Sequence, residues 1–163
     1  MIHDRPISFR FPIALVLSFV CLAMPAWADF QSGMDAADRG NYETALREWR
    51  PLAEQGDAYA QHNLGVLYAN GQGVPEDYVQ ARQWYEKAAA QGRPESQFYL
   101  GVLYANGQGV PQDFVQAHMW YNLAAAHGEK DGAELRDGLA EQMTPAQIAE
   151  AHKRAREWKP TTP

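Results

Sequence analysis

The sequence of 163 residues has 46% hydrophobic and 12% aromatic positions, which is the composition of a folded domain rather than of a disordered chain. Fourteen lysines and arginines against twenty acidic residues give a formal charge of −6, so the chain lacks a basic surface for a phosphate backbone and nucleic acid is excluded as an expected partner. The single cysteine, Cys21, excludes an intramolecular disulfide framework and a multi-thiolate metal site.

The first 28 residues have the parts of a signal peptide. Two arginines precede the apolar run 11–24, and Ala26 and Ala28 place small residues at positions −3 and −1 of a cleavage site after Ala28. A membrane anchor is the alternative, but fourteen helical residues are too short for a hydrocarbon core of about 30 Å. We therefore predict that residues 1–28 are removed and that the mature chain, which has no cysteine, is exported to the periplasm or fully secreted.

A duplicated unit organises the rest of the chain. Residues 64–92 align without gaps on residues 100–128, and 22 of these 29 positions are identical at a spacing of 36 residues. Repetition at this period is typical of a solenoid, in which each unit buries its apolar face against the next one.

Each unit predicts two helices joined by a glycine-rich turn. The first helix, here called helix A, carries an apolar stripe at i, i+4, i+7 and i+8, and an Asn-Gly pair ends it. Asp77 and Asp113 are the expected N-caps of the second helix, helix B, which alternates large aromatic residues with alanine. Tyr85 and Tyr121 fall on its core face, whereas Trp84 and Trp120 are left open as contributors to a ligand surface.

The flanking segments predict two further helix pairs. Upstream, residues 29–56 keep helix B in register after a connection four residues shorter, with helix A expected over Phe30–Arg39. Downstream, residues 129–159 form a polar terminal pair, with its first helix over Asp131–Met143 and a capping box at Thr144 opening its second. The prediction is an all-α solenoid of about four antiparallel helix pairs (29–56, 57–92, 93–128 and 129–159), followed by a tail at 160–163.

The repeated positions also resemble a known family. The pattern A-x-x-x-L-G-x-x-Y-x-x-G-x-G-V-x-x-D-x-x-x-A-x-x-W-Y-x-x-A-A-x-x-G is complete in residues 60–92, and residues 96–128 depart from it only at Ser96. These segments resemble Sel1-like repeats, the longer-looped relatives of tetratricopeptide repeats, and residues 29–56 resemble a tetratricopeptide-length version. The resemblance implies a right-handed α-α superhelix that serves mostly as a protein-interaction scaffold, often in exported bacterial proteins.

The motifs of common catalytic and cofactor sites are missing. The glycine-rich segment YANGQGVP follows a helix and lacks the Gly-Lys-Ser/Thr of a phosphate-binding loop. Ser32 and Ser96 lie outside a nucleophile motif, and no two histidines have the helical spacing of a zinc protease. We therefore expect no catalytic residue, no metal and no cofactor.

Two functions remain open. The first is an exported, monomeric, non-catalytic scaffold that binds another protein or a peptide, with no membrane span after signal cleavage. The alternative is a cell-envelope enzyme or binder acting on cell-wall or β-lactam compounds, because cysteine-rich relatives of the family are linked to that chemistry. Those relatives have a disulfide in each repeat, which this sequence lacks.

The binding surface is predicted on the concave face lined by the A helices, by resemblance to tetratricopeptide repeats. Tyr59 and Phe98 are the expected anchors. Helix capping explains Asn70 and Asn106 as well as binding does, and the two valines also fit packing against the next repeat. The eight predicted residues are Tyr59, His62, Val66, Asn70, Glu95, Phe98, Val102 and Asn106.

Overall fold

Helices follow one another through residues 26–161, the part of the chain that the computed structural model describes, with side chains from residue 29 onward. No strand occurs within these residues, which confirms the all-α prediction. None of the helices described is both long and apolar enough to cross a membrane. The eight helices are α1 (Ala26–Asp38), α2 (Tyr42–Glu54), α3 (Ala58–Asn70), α4 (Tyr78–Ala90), α5 (Pro94–Asn106), α6 (Phe114–Ala126), α7 (Lys130–Ala140) and α8 (Pro145–Glu157).

The predicted signal peptide, residues 1–28, lies outside the described residues except for its last three, where α1 begins. Helix α1 therefore begins before the predicted start at Phe30 and ends at Asp38. Helix α7 ends at Ala140 rather than at the predicted Met143. The reason is a tight turn that closes before the new cap at Thr144, in which Met143 N donates to Ala140 O at 3.1 Å.

The helices pack as a solenoid of antiparallel pairs. The A helices α1, α3 and α5 each pack on the B helix that follows, and α2 and α4 each pack on the first helix of the next pair. Helices α7 and α8 both pack on α6, where Leu139 and Ala151 join the cluster around Tyr121. The stacking buries Tyr85 and Tyr121, which confirms their predicted place in the core.

The predicted caps are present. Asp77 accepts from the backbone N–H groups of Val79 and Gln80, and Asp113 accepts from that of Gln116, so each satisfies the free donors of a helix B. Thr144 and Gln147 form the predicted capping box of α8.

Buried glutamines join consecutive pairs. Gln61 Nε2 donates to Ala53 O at 3.0 Å, and 36 residues later Gln97 Nε2 donates to Ala89 O at 3.3 Å. In both cases an A-helix side chain satisfies a carbonyl in the last turn of the preceding B helix. Because these amides are buried, replacing them with apolar side chains would remove a buried hydrogen bond between consecutive pairs, although each carbonyl also accepts from the backbone N–H of Gly56 or Gly92.

Candidate functional site

The eight predicted residues lie on two A helices at equivalent positions, four on α3 and four on α5. The surface that these helices share with α7, the A helix of the terminal pair, is called the A face below. Tyr59, Asn70 and Asn106 are exposed on it, whereas His62 is buried. The remaining four are half-buried: Val66, Glu95, Phe98 and Val102.

Tyr59 is held in place although 57% of its surface is exposed. The guanidinium carbon of Arg93 lies 3.8 Å from its ring centroid, and the ring of Phe30 meets it edge-on at 6.1 Å. Arg93 in turn pairs with Glu95 at 3.3 Å. A cation over an aromatic face is attracted by the ring quadrupole, so the tyrosine is presented in one orientation.

His62 lies inside the wall of the A face rather than on its surface. Its Nδ1 is 2.9 Å from the hydroxyl oxygen of Ser96, which is fully buried, and its ring packs 5.7 Å from that of Tyr85. Burial, helped by the nearby Arg93, lowers the pKa of His62 to about 4, while Glu95 acts in the opposite direction. A neutral His62 therefore packs among the aromatic residues around it, and because it is buried with its Nδ1 bonded to Ser96, it offers little surface for the predicted hydrogen bond to a partner.

The exposed ring on α5 belongs to Tyr99, which was not among the predicted residues. Tyr99 is 39% exposed and stacks on Tyr85, with 5.3 Å between centroids and 9° between planes. The predicted anchor Phe98 is half-buried and packs 5.8 Å from the ring of Tyr121. Helical spacing alone does not separate the two rings, since Tyr99 lies four residues after Glu95 and three before Val102, whereas Phe98 lies three after and four before.

Two of the other predicted residues, Val66 and Val102, pack against buried clusters of the neighbouring helices, which favours the packing role for them. Asn70 and Asn106 precede Gly71 and Gly107, whose φ values of 62° and 68° are the left-handed C-caps expected from the Asn-Gly pairs. The side chain of Asn106 also donates to Gln108 Oε1 at 3.2 Å.

The two tryptophans left open by the sequence belong to hydrophobic clusters. Trp84 is 8% exposed and joins the first core, with the ammonium of Lys87 4.1 Å from its ring centroid. Trp120 is half-buried and meets Trp158 edge-on at 6.1 Å. Both indoles therefore pack against the protein itself.

A cleft of about 340 Å³ opens at the α7 end of the A face. Val102 and Asn106 line it from α5, and α7 contributes residues that were not predicted. The period could have located them, because Gly138 and Gln142 follow Val102 and Asn106 by 36 residues. The lining residues are Val102, Ala105, Asn106, Tyr121, Leu135, Gly138, Leu139 and Gln142.

Potential ligands for a metal ion are dispersed. In the described part of the chain, no three or more His, Cys, Asp or Glu side chains are grouped so that they could hold a metal ion. His118 and His152 do approach each other, with ring centroids 5.1 Å apart, but they join α6 to α8 outside the A face.

The model of the Sel1 repeat matches residues 58–92 and 94–129. Among solved structures, c5321 of uropathogenic Escherichia coli, a protective antigen with an SLR fold, is 31% identical with a TM-score of 0.78, and the match covers 82% of this chain. This chain spans only 30% of the length of c5321. A Sel1 repeat protein from Oxalobacter formigenes is 36% identical with a TM-score of 0.63, and the match covers 69% of this chain and 88% of that one.

No curated protein matches the sequence. The repeat model covers both duplicated units, and the Oxalobacter protein is matched over most of its length. The chain belongs to the Sel1 repeat family.

Proposed function

We propose that this protein is an exported scaffold that binds another protein, or a peptide segment of one, through the A face, which is the expected concave side of the solenoid. Sel1 repeat proteins generally mediate protein interactions. The observation that carries the proposal is the distribution of exposed apolar side chains. Among the residues that the structure describes, four large hydrophobic side chains are exposed, and three of them, Tyr59, Tyr99 and Leu135, lie one on each A helix from α3 to α7.

Exposed aromatic residues of this kind are the usual anchors of protein interfaces. A tyrosine supplies a large contact area for the loss of few rotamers, and its hydroxyl adds a hydrogen bond at the rim. Tyr59 and Tyr99 are already ordered, the first by Arg93 and the second by its stack on Tyr85. Binding through them therefore costs less conformational entropy than binding through free side chains.

Photo-crosslinking in intact cells tests the proposal. A benzophenone side chain placed at position 59 or 99 samples the A face, and the same side chain at Val79, which is 45% exposed on α4, is the matched control. We expect positions 59 and 99 to crosslink the same protein and position 79 to leave it uncaptured. Equal crosslinking from all three positions would contradict a partner bound on the A face.

Export rests on the features of residues 1–28 and has its own test. Expression of the full chain in a bacterial host, followed by mass spectrometry of the periplasmic fraction, should yield a protein that begins at Asp29. A chain that keeps residues 1–28 and stays in the cytoplasm would contradict this part of the proposal.

A further inference from the structure

The cleft between α5 and α7 is lined by a glycine at the position where the two full repeats have valine. Gly138 occupies the position of Val66 and Val102, at intervals of 36 residues. The floor of the cleft is apolar, since Tyr121 and Leu139 are buried beneath it, and the exposed Leu135 stands at its edge. A valine at position 138 would place its side chain at the wall of this space.

Neither the backbone nor the packing of α7 requires a glycine at this position. Gly138 lies inside a helix, and a Cβ built on it meets no atom within 4 Å. A glycine in a helix interior is less favourable than alanine by about 1 kcal/mol. The chain therefore forgoes helix stability at the position where a side chain would narrow the cleft.

The charges around the cleft point to the chemistry of its occupant. Glu134 and Glu141 lie four residues before and three residues after Gly138, so both flank it on the helix surface; both are exposed, and within the described residues neither has a cationic partner within 4.0 Å. The nearby Arg136 is engaged elsewhere, because it bonds Asp137 at 2.8 Å and the side-chain oxygen of Asn122 at 3.1 Å. Lys130 and Asp131 in the first turn of α7 offset each other in charge, so the two glutamates beside Gly138 make this edge of the cleft acidic, and a cationic segment complements it.

We propose that this cleft takes one aliphatic side chain of a partner peptide in which lysine or arginine flanks that residue. The proposal rests on the proposed function, since the cleft is the α7 end of the A face. The aliphatic group would fill the space above Tyr121 and Leu139, while the flanking cations would face Glu134 and Glu141, which lie on either side of Gly138 along α7. Apolar burial supplies affinity, and the acidic edge selects against acidic segments.

Designed peptides test this directly with the purified protein. The probe is a short labelled peptide with one leucine between two lysines on each side; one control replaces the leucine with alanine and another replaces the lysines with glutamates. Titration followed by amide NMR should give saturable shifts at Leu135, Gly138 and Gln142 with the leucine–lysine peptide. Each control peptide should bind about tenfold more weakly or worse. Equal shifts with all three peptides, or no saturable shift up to about 1 mM, would overturn the proposal.

Variants of the protein separate this inference from the proposed function. Gly138→Val should weaken binding of the leucine–lysine peptide about tenfold or more, and Val79→Ala should leave it unchanged. Unchanged binding by Gly138→Val would overturn the cleft, and the crosslinks from positions 59 and 99 would then show whether the A face still binds a partner. Self-association that Gly138→Val abolishes would assign the cleft to a second copy of the chain and also overturn the proposal.

Discussion

Gly65 on α3 lies directly under the ring of Tyr85 on α4, so that a Cβ on the glycine would be 2.5 Å from the Cδ1 and Cε1 atoms of the ring. Gly101 has the same relationship to Tyr121, again at 2.5 Å. In the first pair, Gly33 lies against the indole of Trp49. Each of these pairs thus brings its two helices together where a glycine on helix A faces an aromatic ring on helix B.

The close contact at Gly65 and the open space at Gly138 predict opposite effects of a glycine-to-alanine substitution on the free energy of unfolding. Gly65→Ala should lower the free energy of unfolding by about 1 to 3 kcal/mol, because the added methyl group displaces a buried ring. Gly138→Ala should raise it by about 0.5 to 1 kcal/mol, because α7 has open space there and alanine favours the helix. Urea denaturation of both variants measures the difference, and stabilisation by Gly65→Ala would show that the ring moves aside freely.

Alanine substitutions of glycines in the turns between the two helices of a pair should also differ in their cost to stability. Gly73 has φ of +71°, and a Cβ on it would lie 2.7 Å from the carbonyl carbon of Tyr42 in the preceding pair. Gly40 has nearly the same φ, +73°, with nothing within 4 Å of its Cβ position. Alanine at position 40 therefore carries only the left-handed backbone cost of about 1 to 2 kcal/mol.

Gly73→Ala should cost about 1 to 3 kcal/mol more than Gly40→Ala, because backbone atoms of Tyr42 have to move as well. Thermal unfolding of the two variants side by side checks this. The same melting temperature for both variants would mean that a side chain at position 73 does not clash with the backbone of the preceding pair.

Protonation of His62 should destabilise the fold in acid. Its pKa is about 4 in the folded chain against 6.5 for an unperturbed histidine, so between these values the unfolded chain binds more protons and stability falls as the pH falls. Between pH 7 and pH 4.5 this difference corresponds to about 2 to 3 kcal/mol.

The matched variant is His62→Gln, which does not titrate. We expect its free energy of unfolding to fall less between pH 7 and pH 4.5 than that of the unmodified protein, by about 2 kcal/mol. Denaturant titrations at several pH values give this comparison. Parallel pH profiles for the two proteins would assign the acid sensitivity to other groups.

The duplicated unit predicted where the helices lie and which residues cap them, because both features depend on a few residues that are close together in the sequence. Asp77 and Thr144, for example, cap α4 and α8 because their side-chain oxygens accept hydrogen bonds from backbone N–H groups of the first turn. The exposure of each side chain in the candidate site depends instead on which side of each A helix the adjacent pair covers. The choice between Phe98 and Tyr99 was decided by Tyr121 of α6, which covers one ring and leaves the other exposed. Likewise, burial of His62 required the contact with Ser96 on the next pair.

The cleft was not predicted because one of its walls is a helix whose sequence departs from the repeat. Helix α7 matches the repeat pattern poorly, so its residues were assigned to a polar cap rather than aligned with the A face. Once the helix is placed, Gly138 and Gln142 fall in line with Val102 and Asn106.

The most direct test of binding by the A face is the affinity of the purified crosslinked partner for the double variant Tyr59→Ala/Tyr99→Ala, measured by calorimetry beside Val79→Ala. Loss of two exposed aromatic anchors should weaken binding by about 2 kcal/mol or more, while Val79→Ala keeps the affinity of the unmodified protein. The double variant and Val79→Ala should both melt within a few degrees of the unmodified protein, because the three substituted side chains are exposed. Unchanged affinity in a folded double variant would contradict binding through the A face.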